Sequence, residues 1–300
     1  MPERTSEEWE RVLWKRKKYP DNLVPATFLS SLSKNPNFKP YTYWSLVQAS
    51  CAIDQHLATI YTFLTVFVHL KERYLDARLL VWISVCGFII GYASWELLCC
   101  YGLGEANQST GRAKAIKSSI LTFLALMSLS PVLRTLTAAT SSDSIWALSA
   151  GLFVLNALLA DYTALKHEDR HRERLTSVLS MNAAISSSVV LASRLSDDLS
   201  VFALMLFSVQ LFALFPIMRR HLQNGPAILQ VPMTSVLCSS SIFLAAPLST
   251  SVMYLFIITF VFVTFVAPGV LVWAQRYKNE IRGSWDPAVP KVNMKDSSSI

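Results

Sequence analysis

The chain has 300 residues, of which 52% are hydrophobic and only 16% are charged, and its formal net charge is +7. Soluble domains usually carry about a quarter charged residues, so the composition excludes an ordinary soluble domain and indicates an integral membrane protein. Positive charge can indicate nucleic-acid binding, but Lys and Arg beside membrane segments usually set the orientation of the chain in the bilayer. We therefore predict no nucleic-acid partner.

Residues 1–42 form a polar and basic segment that we expect to lie in the cytosol. The first 40 residues contain no apolar run of the kind found in a signal peptide. Thr5 and Glu8 have the spacing of a capping box, which predicts an amphipathic helix over residues 3–19. Such a helix can lie in the membrane interface or bind a protein partner.

Eight apolar segments follow, each close to the ~20 residues that a spanning helix needs. The predicted spans cover residues 44–70, 78–100, 117–136, 144–165, 175–195, 199–218, 230–247 and 250–274. They predict an all-α polytopic membrane bundle over residues 43–274 and a cytosolic tail over 275–300. The seventh segment is short and rich in serine, so an alternative is that it forms a re-entrant pair or one span with the eighth.

The distribution of Lys and Arg predicts which side each loop faces. With eight spans both termini share a side, and that side carries 22 of the 27 Lys and Arg residues. Positive charge marks the cytosol, so we expect both termini to be cytosolic. Asn107 begins the sequon "NQS" in the 101–117 loop, which this topology also places in the cytosol.

Small residues in two spans predict close helix packing. Gly87 and Gly91 form a GxxxG motif in the second span. In the fifth span a small residue recurs every fourth position, at Ser180, Ala184, Ser188 and Ala192. In lipid, such stripes let helix backbones approach closely. The partner helix can belong to this chain or to another subunit, and the sequence leaves that choice open.

Several polar residues fall at membrane depth within the predicted spans. They are Asp54, His56, Glu96, Asn156, Asp161, Asn182 and Gln210. A charged group there costs ~2.5–3.5 kcal/mol on insertion scales, so such groups usually face the bundle interior, a cavity or a partner. One interpretation makes them hydrogen bonds between helices. The alternative is a transport path for an ion or another solute.

Charged residues also cluster at the predicted lumenal ends of the spans. Arg134 ends the third span, Asp143 opens the fourth, and Arg194 lies near the end of the fifth beside Asp197 and Asp198. We predict that Arg134 pairs with Asp143 or with the Asp197/Asp198 pair. The alternative is that the arginine snorkels to lipid headgroups.

The motifs of enzymes that bind nucleotides, metals or acyl groups are missing from the sequence. It contains no D-x-D, Walker, dinucleotide-binding, H-E-x-x-H or G-x-S-x-G pattern. His167 and His171 have metal-ligand spacing, but they lie in the mixed-charge run "KHEDRHRER", which is typical of a solvated loop. We therefore predict no catalytic residue, cofactor site or metal site in this chain.

Longer stretches resemble one known family, the C subunits of the phosphatidylinositol N-acetylglucosaminyltransferase complex. The resemblance covers nearly the whole chain in the same order. The similar stretches are "YPDNLVPATFLSSL" (19–32), "YTYW" (41–44), "SPVLRTLTAATSSDSIWALS" (130–149), "LADY" (159–162), "SMNAAISSSVVLASRLS" (180–196), "LFALFPIM" (211–218) and "IRGSWDPA" (281–288). The charged loop over 163–174 is longer than the family's pattern.

This resemblance implies a role in the first step of glycosylphosphatidylinositol (GPI) anchor synthesis. The complex transfers N-acetylglucosamine from its UDP donor to phosphatidylinositol at the cytosolic face of the endoplasmic reticulum. In the family the catalytic subunit is the A subunit, and the C subunit is a multi-pass companion. The implied partners are the A subunit, other membrane subunits and membrane lipids, with phosphatidylinositol as a candidate. The alternative function is an independent transporter or lipid scramblase.

Overall fold

The computed structural model describes residues 33–34, 40–100, 108–137, 139–162, 170–223, 230–277 and 281–282. The predicted helix over 3–19, the sequon at Asn107 and the C-terminal end of the tail lie outside these residues. The chain divides into a large unit, Thr42–Val270, and a second unit formed by Met1–Tyr41 with Leu271–Ile300.

Helices account for nearly all of the large unit. The first five are α1 (Tyr43–Lys71), α2 (Ala77–Cys100), α3 (Gln108–Thr135), α4 (Ser142–Leu159) and α5 (Arg170–Ala192). They are followed by α6 (Asp198–Val209), α7 (Phe215–Gln223), α8 (Gln230–Ala245) and α9 (Thr250–Val261). A further helix, α10 (Ala267–Ala274), and a 3-10 turn (Gln275–Tyr277) complete the last helical segment.

This architecture confirms the predicted all-α membrane helix bundle, since helices lie at each of the eight apolar segments. Six described helical segments are long and apolar enough to cross a membrane. The apolar parts of α5 and α8 are shorter, at Val178–Ala192 and Gln230–Ala245. How many of the eight segments span the bilayer therefore stays a prediction.

Two predicted boundaries differ from the structure. Helix α3 begins at Gln108, nine residues before the predicted span, because hydropathy detects only the apolar part of a helix. Helix α4 ends at Leu159 and not at residue 165, because Ala160 has an extended backbone (φ −66°, ψ 137°). The Tyr162 hydroxyl then donates to the Ala157 carbonyl at 2.7 Å, which satisfies an acceptor in the last turn.

Two π-helical turns interrupt the long helices, and each precedes a proline. The first (π1, Gln210–Leu214) comes before Pro216, and the second (π2, Phe262–Val266) comes before Pro268. Proline donates no backbone hydrogen bond, and its ring clashes with the carbonyl four residues earlier. The wider π turn, closed by bonds five residues apart, accommodates this defect without ending the helix.

Helix α1 is the central helix of the large unit. In α1, 67% of the most apolar 18-residue stretch is buried, whereas in each of the other candidate spans the corresponding share is 39% or less. Its neighbours include α4, α6, α8, π1 and π2. Phe63 on α1 lies against Phe153 of α4 and Phe212 of π1, with ring centroids 5.7 and 5.3 Å away. These aromatic contacts form the centre of the main hydrophobic core.

The connections after α1, α3, α5 and α8 meet at one end of the large unit, which we call the short-loop end. Thr137 and Ser193 hydrogen bond there through their hydroxyls, and His69 contacts the Leu244 carbonyl at 2.9 Å. The opposite end holds the start of α1 and the end of α4.

In the second unit, Ser33–Lys34 pairs antiparallel with Ile281–Arg282, and the backbone of Tyr41 exchanges two hydrogen bonds with the Gln275 side chain.

Candidate functional site

Three consecutive polar residues of α1 lie inside the large unit. Asp54, Gln55 and His56 are 1%, 1% and 5% exposed, respectively. Consecutive residues of an α-helix point about 100° apart, so all three can be buried only in a helix with neighbours on several sides. The local sequence "DQH" is therefore a sign, present in the sequence itself, that α1 is the central helix.

His56 connects α1 to α4 and α5. Its Nε2 lies 2.9 Å from Oδ1 of Asn156. The Asn156 amide nitrogen donates to both the carbonyl and the hydroxyl of Ser180, at 2.8 and 2.9 Å. Because Asn156 uses its nitrogen for Ser180, its oxygen accepts from His56, which therefore carries its proton on Nε2. The Tyr162 ring packs edge-on against the imidazole at 5.8 Å.

Gln55 and Asp54 connect α1 to the last two helical segments. Gln55 donates through Nε2 to the Thr234 hydroxyl of α8 at 2.9 Å. Asp54 accepts from the Thr264 hydroxyl of π2 at 2.7 Å. Each of the three polar residues of α1 thus binds a different neighbouring segment. Hydrogen bonds of this kind hold membrane helices together where the hydrophobic effect does not.

The small-residue stripe of α5 is buried inside the large unit. Ser180, Ala184, Ser188 and Ala192 are each 5% exposed or less. Ser187, one position from the stripe, bonds both the hydroxyl and the carbonyl of Ser149 on α4, at 2.9 and 3.1 Å. Ser188 bonds the Ala184 carbonyl of its own helix at 2.8 Å. Among the described residues, the stripe therefore packs against helices of this chain.

The two glycines of the predicted GxxxG motif have different surroundings. A Cβ added to Gly87 would lie 3.7 Å from the Gln210 side chain, whose amide donates to the Ser84 carbonyl. A Cβ added to Gly91 would meet nothing within 4 Å among the described residues. Among the described residues, Gly87 therefore lies close to a side chain of another segment and Gly91 does not. The two glycines do not form a shared contact surface for one helix of the described chain.

Arg134 pairs with Asp198 at the short-loop end. The Arg134 guanidinium lies 3.1 Å from the Asp198 carboxylate, and the side chains are 42% and 45% exposed. Arg134 also donates to the Ser196 carbonyl at 3.4 Å. Asp143, the other predicted partner, is exposed and forms no ion pair among the residues that the structure describes. The pair joins the end of α3 to the start of α6.

Two further contacts at the short-loop end involve Arg194 and Arg73. Arg194 donates to the Thr140 carbonyl, so this predicted residue binds a backbone oxygen and not a carboxylate. Arg73 lies 3.8 Å from Asp197. Hydrogen bonds from Ser200 and Ser196 lower the pKa of the Asp197 carboxyl below its usual value, and the charges of Arg73 and Arg134 act in the same direction. Asp197 is therefore ionised at neutral pH.

Asp161 and Asn182, two of the predicted polar residues, are not fully buried in the described bundle. Asp161 follows the end of α4 and is half-buried, so its placement inside the fourth span is wrong. Asn182 is exposed on α5 with no hydrogen bond among the described residues. It lies two residues, or about 200°, from buried Ser180, which turns its side chain to the outside of the bundle. Asn182 therefore does not face the interior of the described bundle, and a partner helix remains one of the surroundings expected for it.

Sequence reasoning also missed several residues of the buried network. They are Gln55, Ser149, Ser187, Arg219, Thr234 and Thr264. Arg219 near the end of α7 is only 3% exposed and donates to the Ala52 carbonyl at 3.2 Å. Serine and threonine in apolar helices commonly bond their own backbone, so the sequence does not distinguish those that also bind another helix.

The fold and the network define a helical membrane protein in which the buried polar side chains of α1 bind neighbouring helices. The family described as "Phosphatidylinositol N-acetylglucosaminyltransferase" (GPI2) matches residues 9–286. The GPI2 subunit of this transferase from Schizosaccharomyces pombe is 38% identical over 95% of this chain and 87% of its own length. A putative C subunit from Dictyostelium discoideum is 34% identical over 93% and 79%, respectively.

The C subunit of the human transferase is 30% identical over 95% of this chain and 94% of its own length. The chain therefore belongs to the GPI2 family of phosphatidylinositol N-acetylglucosaminyltransferase subunits, which includes these C subunits. This confirms the resemblance found in the sequence. No solved structure matches the chain significantly.

Proposed function

We propose that this chain is a non-catalytic, multi-pass subunit of the complex that transfers N-acetylglucosamine from UDP-N-acetylglucosamine to phosphatidylinositol. The reaction is the first step of GPI-anchor synthesis, and the complex lies in the endoplasmic reticulum membrane. Relatives that match almost the full chain are named as subunits of this transferase, which supports the proposal. The catalytic A subunit and other membrane subunits are the partners that we propose.

The observation that carries this proposal is the use of the buried polar groups. His56, Gln55 and Asp54 each bind a different helical segment, through Asn156, Thr234 and Thr264. Each group thus has one partner on another segment, although Oδ1 of Asp54 and Oε1 of Gln55 accept no hydrogen bond among the described residues. Bonds of this kind stabilise a fixed arrangement of helices. A rigid bundle suits a subunit that positions other subunits, whereas a transport path needs polar groups that exchange partners with a solute.

The positive charges support a cytosolic location for both termini. The short-loop end holds Lys71, Arg73, Arg78, Arg134 and Arg194, and the other 22 Lys and Arg residues belong to the opposite side in the eight-span topology. This imbalance favours a lumenal position for the short-loop end. The transfer reaction, at the cytosolic face, would then take place beside the opposite end of the bundle.

Asn182 and Gly91 are the residues that we propose for contacts with other subunits. Asn182 is exposed on α5, and Gly91 has open space beside its Cα. An amide facing hydrocarbon is costly unless another helix supplies a hydrogen bond, and a glycine without a neighbour permits a helix to approach closely. Both features suit a transmembrane helix of a partner subunit.

The alternative function, a transporter or scramblase, would use Asp54, Asp161 and Asn182 as one path. The three residues differ too much in their surroundings to support this, since Asp54 is 1% exposed while Asn182 faces outward from α5. Asp161 lies beyond the end of α4. These differences favour a subunit over a transporter.

Affinity purification from a native membrane tests the proposal. A tagged full chain should co-purify with the glycosyltransferase subunit and with transferase activity, whereas the same chain expressed alone should show no transfer. A transporter would instead purify alone and move a solute in liposomes. Sugar transfer by the isolated chain at the rate of the whole complex would contradict the non-catalytic assignment.

A further inference from the structure

A cavity of about 90 Å³ opens at the short-loop end of the bundle, between α1, α4 and α5. Its lining residues are Phe67, Lys71, Ser142, Ile145, Trp146, Leu191 and Arg194. A cavity needs ~10–15 Å³ of such volume to hold one water molecule. This one therefore has room for a group of several heavy atoms.

The cavity combines an apolar wall with two positive charges. Phe67, Ile145 and Leu191 are almost fully buried, at 2% exposure or less. Lys71 is exposed at the rim, and its ammonium nitrogen lies 5.4 Å from the centroid of the Trp146 ring. The indole therefore holds the Lys71 charge beside the opening through a cation–π contact.

Neither cation is neutralised by a carboxylate among the described residues. Arg194 donates one terminal nitrogen to the Thr140 carbonyl, while its buried Nε has no acceptor. The carboxylates of Asp143 and Asp198, which lie at the same end of the bundle, do not pair with Lys71 or Arg194. Asp143 does not line the cavity, and Asp198 pairs with Arg134. A buried guanidinium donor without an acceptor is unfavourable, so the site favours a ligand that supplies negative oxygen atoms.

We propose that this cavity binds a phosphate group, and that the phosphate belongs to a phospholipid of the leaflet at the short-loop end. Arg194 and Lys71 would donate to the phosphate oxygens, because guanidinium and ammonium groups form strong charge-assisted bonds with phosphate. Trp146 is 40% exposed, as suits an aromatic ring at the membrane interface. The acyl chains would extend into the surrounding bilayer.

This ligand site is separate from the transfer reaction. The proposed topology places the reaction at the opposite end, so the lipid at this cavity would support the bundle and would not be the acceptor of the sugar. A free phosphate ion offers the same oxygen atoms to Lys71 and Arg194. The two sources differ in the acyl chains, which only the lipid can place in the membrane.

The test measures binding of dioleoyl phosphatidic acid to the purified full chain in a neutral detergent by native mass spectrometry. Dioleoylglycerol, which has the same chains and no phosphate, serves as the neutral probe. We expect one saturable phosphatidic acid site, with affinity at least about 10-fold weaker in Lys71→Gln. Arg78→Gln is the matched control, because Arg78 is an exposed cation at the same end that does not line the cavity.

Arg194→Lys is the second variant, since it keeps the charge but removes the Nε donor. We expect it to weaken phosphatidic acid binding while the variant still elutes as a single species. Retained affinity in both variants, or an equal loss in Arg78→Gln, would overturn the site. Equal binding of dioleoylglycerol would overturn the role of the phosphate. Full displacement of the lipid by equimolar inorganic phosphate would overturn the assignment to a phospholipid and identify a phosphate-ion site.

Discussion

Asn156 and His56 are 100 residues apart in the chain, and their side chains meet at 2.9 Å inside the bundle. Both side chains are buried, and Asn156 also binds Ser180 through its amide nitrogen. One amide thus connects the central helix α1 to the α4–α5 pair. The oxygen of this side chain binds α1, and its nitrogen binds α5.

Asn156→Ala should therefore lower the stability of the folded chain. It removes the acceptor of His56, and a buried group that loses its partner costs about 1–3 kcal/mol. The Ser180 hydroxyl keeps its bond to the backbone carbonyl of residue 156 at 2.8 Å. Thermal unfolding of the purified chain in detergent measures the effect. Asn182→Ala is the matched control, because this asparagine is exposed, and its effect on the isolated chain should stay within about 0.5 kcal/mol. Equal effects of both variants would contradict the role of Asn156.

Asn182→Ala should instead weaken association with partner subunits, because the proposed partner helix would lose its hydrogen bond to this exposed amide. The expected result is lower recovery of the glycosyltransferase subunit with the tagged variant, while the unfolding temperature of the isolated chain is unchanged. Quantitative co-purification provides the measurement, with Ser235→Ala, an exposed hydroxyl of α8, as the control. Full recovery with the Asn182 variant would show that this side chain faces lipid.

Ala184→Leu should destabilise the packing of α5. Ala184 has no exposed surface, and a larger side chain in a filled core typically costs about 1–3 kcal/mol. The same substitution at Ser186, an exposed position of α5, should be tolerated. Both variants would be compared by thermal unfolding and by yield of the intact complex. Normal packing with leucine at position 184 would mean that the helices do not rely on close approach there.

Arg134→Ala should have only a small effect, because the Arg134–Asp198 pair is nearly half exposed. Exposed ion pairs contribute about 0–1 kcal/mol, and Asp198→Asn should show a similar change. Asp143→Asn should show no coupling to Arg134, since Asp143 forms no ion pair in the described structure, and its own small effect comes from its charge in the first turn of α4. Unfolding of the single and double variants measures the coupling energy. A variant at Arg134 that assembles fully yet loses transferase turnover would indicate a functional arginine.

Asn107 should remain unglycosylated in cells, because the charge distribution places its loop in the cytosol. Treatment with an endoglycosidase should leave the mobility of the full chain unchanged on a gel. A sequon engineered into the connection after α5, on the predicted lumenal side, provides a positive control. A glycan on Asn107 would reverse the topology, and would also move the cavity at Lys71 and Arg194 to the cytosolic face.

Chain composition and local patterns were sufficient to predict the class of this protein. A helix that crosses a bilayer satisfies its own backbone hydrogen bonds and needs only a run of about 20 apolar residues. Hydropathy alone therefore predicted eight segments at which the described residues form helices. The family was also evident from the sequence, since the similar stretches extend over nearly the whole chain. Neither result required knowledge of which helices touch.

Tertiary structure alone decided which polar groups meet. The sequence presents Asp143 and Asp198 as equal partners for Arg134, and only the packing of α3 beside α6 brings Asp198 within 3.1 Å. Asn156 and Asn182 look alike in the sequence, yet one is 2% exposed and the other faces outward. The reason is geometric, because the side of a helix that is buried depends on the neighbours around it, and those neighbours come from distant parts of the chain.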